Sequence, residues 1–327
     1  MDGDGSMPAR RIAFVGECMV ELFHRPGDDG GTLRRTVGGD TLNAAVYCRR
    51  ALGERPAAEV HYVTRLGDDP FGSEIPGFIR AQGVRTDWVR TAPGETTGLY
   101  AISRDEAGER SFSYWRGQSA ARRLFAGGAD TEIEEALVEF DALFFSGITL
   151  AVLGDEGRER LLALARRMKS AGRLVAFDGN YRPRLWESKD VAADVIARAH
   201  GASTLTLPGF DDEAALFGDG DAQEAVRRLL AFGATHVVLK QGSEPALVAD
   251  AGGIDQIASQ PVGRVLDTTA AGDSFDGAAL AVLLAGGTLR EAVEAGHRMA
   301  GLVIGAYGAI VESPETHWAE GPAAEHA

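Results

Sequence analysis

Asp267-Thr268-Thr269-Ala270-Ala271-Gly272-Asp273-Ser274-Phe275 leads directly into an apolar helical pattern over Ser274–Leu284. Small residues at Ala270, Ala271 and Gly272 leave backbone N–H groups uncovered at a helix N-terminus. Those N–H groups and the helix dipole both favour an anion such as phosphate. Asp273 then stands beside that anion site. Asp is a common N-cap, so on this segment alone a cap and a functional carboxylate are equally good readings. A carboxylate next to a phosphate is electrostatically unfavourable unless it has a task. Taking the proton of a hydroxyl that attacks the phosphate is such a task.

Upstream, short apolar runs alternate with helical patterns. The runs are Arg11–Gly16, Val60–Leu66, Ala142–Phe145, Leu174–Phe177, Ser203–Leu207, His236–Leu239 and Ala246–Val248. Apolar residues recur at helical spacing in Leu42–Leu52, Glu156–Met168, Val191–Ala199, Ala222–Phe232, Ser274–Leu284 and Leu289–Ile304. This alternation predicts an α/β fold, with a mostly parallel sheet and helices on both faces. Two stretches break the rhythm. Glu17–Thr36 is polar, with Gly27, Gly30 and Gly31, whereas Thr96–Trp115 alternates as two strands about a turn at Asp105–Gly108. Together they predict a small β-sheet set into the α/β body, placed to cover a site at the carboxyl ends of the parallel strands. Ala278–Ala285 and Gly301–Val311 read as buried helix.

The chain has 327 residues and a net charge of −15. So acidic a chain is ill-suited to gripping a nucleic-acid backbone or making a polybasic membrane contact. No apolar run approaches the ~18 residues of a membrane span, and Met1–Ser6 does not resemble a signal peptide. Met7 reads as a second possible start. Cys18 and Cys48 read as buried thiols in a reducing cytoplasm. Glycine is unusually frequent, at 42 residues, but aperiodic, which excludes a collagen-like chain and points to close backbone approaches. There is no Gly-Lys pair and hence no Walker A loop, no dinucleotide glycine fingerprint after the first strand, and no nucleophile elbow. Cys and His are too few and scattered for a zinc site. A second segment, Gly38-Gly39-Asp40-Thr41-Leu42-Asn43, also opens a helix. Its glycines would admit a ligand to the backbone, and Asp40 and Asn43 can bond sugar hydroxyls. Taken alone, a turn with a capping residue is the simpler reading.

The two helix-opening motifs together resemble those of the ribokinase-like (PfkB) carbohydrate kinases. That family has a di-glycine motif near the N-terminus and Asp-Thr-x-Gly-Ala-Gly-Asp near the C-terminus; Ala270 here replaces the usual first glycine. Further segments resemble the 2-keto-3-deoxygluconate kinase branch: Gly16–Leu22, His61–Thr64, Gly108–Arg116 and Asn180-Tyr181-Arg182-Pro183-Arg184-Leu185-Trp186. The likeness runs from about Ile12 to Val311. It implies one ribokinase-like unit over residues 7–311, with lid segments at about 17–37 and 96–116 and a tail over 312–327.

The resemblance implies ATP-dependent phosphorylation of a sugar acid in the cytoplasm, with Mg²⁺ and, left open, a monovalent cation. Asp273 is the expected base, and Ala270, Ala271 and Gly272 the anion hole. Gly38, Gly39, Asp40, Asn43, Tyr100, Tyr114, Arg116 and Arg182 are expected around the sugar acid. A carboxylate substrate calls for cations, and Arg offers it a planar fork. Asn180, Lys240, Gly242, Ser243, Gly272 and His297 are expected around the nucleotide, with Gly296 beside His297. The family's Asn-x-x-Glu metal motif is altered: Phe210 stands at the Asn position, leaving Glu213 as the metal residue, or the cluster Asp211-Asp212-Glu213. A homo-oligomer paired through the lid is expected, with no nucleic-acid or membrane partner. Fructokinase or ribokinase activity is the same-chemistry alternative. A non-catalytic sugar sensor and an NAD-dependent oxidoreductase are the alternatives of other classes.

Overall fold

The computed structural model describes residues 9–24, 31–53, 58–104, 110–128, 130–259 and 261–312. The expectations for Met1–Met7, Gly27, Gly30, the turn Asp105–Gly108 and residues 313–327 lie outside the described residues. The strands are β1 (Arg10–Val15), β2 (Met19–Phe23), β3 (Arg34–Gly38), β4 (Ala58–Gly67), β5 (Arg85–Ala92), β6 (Leu99–Arg104), β7 (Arg110–Trp115), β8 (Ala142–Ser146), β9 (Leu174–Asp178), β10 (Leu205–Thr206), β11 (His236–Gln241), β12 (Glu244–Asp250) and β13 (Gly253–Ile257). The α-helices are α1 (Asp40–Leu52), α2 (Pro70–Ala81), α3 (Thr131–Val138), α4 (Gly147–Val152), α5 (Asp155–Ser170), α6 (Lys189–Ala202), α7 (Phe210–Phe217), α8 (Ala222–Ala231), α9 (Ala271–Leu284) and α10 (Leu289–Val303).

Nine strands form one sheet in the order β13-β12-β11-β10-β9-β8-β1-β4-β5. It is parallel from β11 to β5 and antiparallel at the β11–β12–β13 edge. Successive residues of β1 face opposite layers. Ile12 and Phe14 pack with Leu42 of α1 and Leu280 of α9, whereas Ala13 and Val15 pack with Leu161 of α5 and Ile196 of α6. A strand buried on both faces reads as a continuous apolar run, as β1 does. The chain leaves β1 toward β4 and β5, then returns to β8 on the other side of β1. This reversal of strand order opens a crevice at the carboxyl ends of β1 and β8, where open α/β sheets bind ligands.

Both rhythm-breaking stretches supply strands to one second sheet, of order β3-β2-β6-β7. Its β2–β6 pair is parallel, and the expected β6–β7 hairpin is antiparallel with Tyr100 opposite Tyr114. One expectation fails. Gly301–Val311 is not all helix, since α10 stops at Val303. The chain beyond it turns so that Leu266 and Asp267 donate to the Ile304 carbonyl and Gly308 donates to Asp267. Glycines at 305 and 308 favour that ending, Gly308 with a left-handed φ of 98°.

Candidate active site

A cleft of about 780 Å³ lies between the carboxyl ends of the parallel strands and the second sheet. That is within the usual range for ligand pockets. Its phosphate-like end is the start of α9. Ala270 holds a left-handed conformation, φ 59°, and no side chain caps the helix. The amide of Ala271 is already used, donating to the Thr268 carbonyl at 3.3 Å. The uncapped amides of the first turn are therefore those of Gly272 and Asp273, one residue further on than the sequence suggested. Asp267 stays behind this turn, accepting from the Thr269 amide at 2.9 Å and the Gly308 amide at 2.8 Å.

The Asp273 carboxylate points into the cleft and accepts from Asn43 Nδ2 at 2.8 Å. Burial, and next the negative charge of Asp40, push it up to about 7. Helix α1 presents Asp40 and Asn43 from the opposite wall. Asp40 accepts from Ser146 Oγ at 2.5 Å and Asn180 Nδ2 at 3.1 Å, so the tips of β8 and β9 orient it. Gly39 has to be a glycine, because a Cβ there would stand 2.4 Å from the Glu17 carbonyl oxygen. Gly38 does not line the cleft. A Cβ on it would stand 2.5 Å from the Tyr100 hydroxyl, so its smallness makes room for Tyr100.

The second sheet contributes stacked Tyr100, Tyr114 and Phe112. Tyr100 is buried and donates to Glu21, while Tyr114 is half exposed. Arg116 lines the cleft but is itself buried and paired with buried Glu17. Arg182 sits at the exposed rim, bonded to Asp212 at 2.9 Å and 3.0 Å. Both arginines thus arrive with a carboxylate partner, which sequence reasoning did not foresee.

At the far end, Lys240 closes β11. Its ammonium lies 2.8 Å from Asp276 Oδ1 and 3.1 Å from Asp178 Oδ2. Burial disfavours that charge, but the two carboxylates outweigh burial and hold the amine above its usual range. His297 stacks edge-on against Phe275, and its Nε2 lies 3.2 Å from the Ile257 carbonyl. Gly296 is packed on the Phe275 ring, where a Cβ would stand 2.7 Å from the ring carbons. Gly242 lines the cleft; Ser243 does not, being exposed at the β11–β12 turn.

Glu213, the expected metal residue, does not line the cleft. It lies on the inward face of α7, buried, with Oε1 3.3 Å from His200 Nε2 and Oε2 2.9 Å from Arg228. Its two neighbours, Asp211 and Asp212, line the cleft instead. Successive helical residues point about 100° apart, so three consecutive acids cannot share a face. No group of three metal-ligating side chains forms among the described residues. Asp178 and Asp276 were missed. Asp178 ends a buried strand, and Asp276 follows Asp273 at the i+3 spacing that shares a helix face; these positions are visible in the sequence, but their shared partner Lys240 is not.

No helix among the described residues is long and apolar enough to cross a membrane. Residues 9–316 match the pfkB family carbohydrate kinase. The chain is 40% identical over 309 residues to the 2-dehydro-3-deoxygluconokinase of Dickeya dadantii (strain 3937), covering 93% of this chain and 98% of that one. It is 39% identical over 306 residues to the Escherichia coli (strain K12) enzyme of the same name, covering 93% and 97%. Among solved structures, a PfkB protein from Polaromonas sp. JS666 superposes with a TM-score of 0.78 at 27% identity, over 90% of this chain and 94% of that one. The family match spans both helix-opening motifs, both sheets and the cleft between them, and the chain belongs to the pfkB family of carbohydrate kinases.

Proposed function

We propose that this protein is a 2-dehydro-3-deoxygluconokinase, transferring the γ-phosphoryl group of ATP to the 6-hydroxyl of 2-keto-3-deoxy-D-gluconate. The observation that carries the reading is one cleft with Asp273 and uncapped α9 amides at its centre and Arg116 and Arg182 at its sugar end. Near-full-length similarity to enzymes of that name supports the sugar-acid substrate over fructose.

The sugar acid lies beneath Tyr100 and Tyr114, its carboxylate toward Arg116 and Arg182, its hydroxyls toward Asp40 and Asn43. Asp273 accepts the 6-hydroxyl proton as that oxygen forms the new bond to phosphorus. The bond from phosphorus to the β–γ bridging oxygen breaks, and ADP leaves. Amides of Gly272 and Asp273 face the charge that develops on the transferring group. Lys240, Gly242 and His297 flank the nucleotide. The second sheet acts as a lid that excludes water and so suppresses ATP hydrolysis. Asp178 and Asp211 line the cleft without forming a complete cage. Such a donor set suits Mg²⁺, which is usually held by one or two carboxylates together with substrate phosphates. When bound there, the ion would neutralise phosphate charge. Pairing of two copies through the lid belongs to the same proposal, supported by two exposed apolar residues there, Leu33 just before β3 and Trp115 at the end of β7.

A coupled assay of ADP release over a panel of sugars and sugar acids tests the function. The specificity constant is expected to be highest for the keto-deoxy acid. A higher constant for fructose or ribose would refute the sugar-acid assignment, and no sugar-dependent ADP release would favour a sensor.

A further inference from the structure

Behind the cleft wall, on α9, lies a carboxylate that the mechanism leaves idle. Asp276 lies one helical turn beyond Asp273 on α9, wholly buried, and its Oδ2 has no hydrogen-bond partner. A buried carboxylate beside a phosphate site opposes anion binding, and leaving one unpaired is costly. What it does touch is Lys240, at 2.8 Å. Asp178 holds the same ammonium from β9 at 3.1 Å. Three elements thus converge on one amine: the end of β9, the end of β11 and the first turns of α9. The amine lies 3.4 Å from where a Cβ on Gly272 would stand, against the wall of the anion hole. A lysine side chain has four rotatable carbons and loses much freedom when fixed. Two carboxylates supply the restraint.

We infer that Asp276 is a positioning residue. With Asp178 it clamps the Lys240 ammonium against the anion hole, so that a fixed positive charge faces the transferring phosphoryl group. Asp276 touches neither substrate; it acts through Lys240. A preorganised cation needs no rearrangement when charge develops, which is where such groups contribute most to rate. The i+3 spacing that puts Asp273 and Asp276 on one face of α9 lets a single helix carry the base and the anchor of the cation. This inference rests on the kinase reading above.

The test is steady-state turnover of the full chain with 2-keto-3-deoxygluconate and MgATP. Asp276→Asn keeps the shape and removes the charge. Its kcat is expected to fall about tenfold, below the ~10²-fold loss of a direct donor, with KM for the sugar acid within twofold. In a Lys240→Met background the same change is expected to leave kcat unaltered, because the group through which Asp276 acts is gone. If Asp276→Asn does not melt cooperatively, Lys240→Met is compared with Lys240→Met/Asp276→Leu, which removes both buried charges; equal kcat supports the clamp. Full kcat in Asp276→Asn, or a further loss on changing Asp276 in the Lys240→Met background, overturns it. A wild type that phosphorylates no sugar acid removes the kinase reading and this inference together, whereas an active wild type with an indifferent Asp276 removes the inference alone.

Discussion

Two helices start in the same cleft, and they use acidic residues in opposite ways. At the start of α9 a single carboxylate, Asp273, faces the ligand space beside uncapped amides. At the start of α7 three acids stand in a row, yet Glu213 turns into the core toward His200 and Arg228 while Asp211 and Asp212 face out. Acid count at a helix start therefore says little about function. What decides is the face each residue occupies and what the opposite wall offers it. Asp273 meets Asn43 and the field of Asp40, which suits a base held near neutrality. Glu213 meets the His200 ring and the Arg228 guanidinium. These outweigh its burial and keep its carboxyl below its usual range, which suits a structural ion pair.

The sharpest way to break this contrast is to change both acids and compare. Asp273→Asn is expected to lower kcat by about 10²-fold or more, the scale of general-base loss. A variant retaining near-normal turnover would reduce Asp273 to a cap. Next in size, Arg116→Gln is expected to raise KM for the sugar acid by about 10- to 100-fold, the worth of one charged hydrogen bond. Arg182→Gln, at the exposed rim, should raise it less. Equal effects would mean that the two arginines do not differ in how deeply they meet the carboxylate. Glu213→Gln is expected to cost about 1–3 kcal/mol of stability in chemical denaturation, with the Mg²⁺ dependence of kcat unchanged. A shifted Mg²⁺ dependence would return Glu213 to the metal site. Smallest is Ala270→Gly, which relieves a left-handed alanine and should stabilise by about 1 kcal/mol at most. A loss of stability in the same denaturation assay would show that the turn depends on the methyl group.

Much of this was legible in advance, for identifiable reasons. The doubly buried β1 and β8 read as unbroken apolar runs, and α1, α5 and α6 carry clean helical spacing. Helix α2 and strand β5 escaped notice. Pro76 interrupts the helical pattern, and the alternating burial of Arg85–Ala92 is masked by arginines and threonines. In the site, residues on the two helix-opening motifs were found because glycine and small residues have few other reasons to cluster there. Asp178, Asp276 and Glu17 were missed because each acts through a partner distant in sequence. Lys240 lies 62 and 36 residues from its two carboxylates, and no local pattern reports a pair of that kind.

The most direct test of the account is the pH dependence of kcat/KM for the sugar acid, which reports groups of the free enzyme. Asp273 has to be ionised to accept a proton, and burial and Asp40 raise its carboxyl to about 7. Activity should therefore rise with pH along a limb centred near 7. The folded state also keeps this proton longer than the unfolded chain, so the group's contribution to stability should fall between about pH 4 and pH 7. The account predicts that the limb is present in the wild type, is moved to lower pH by Asp40→Asn, and is absent from the residual activity of Asp273→Asn. A limb near 7 that survives unchanged in Asp273→Asn would contradict it.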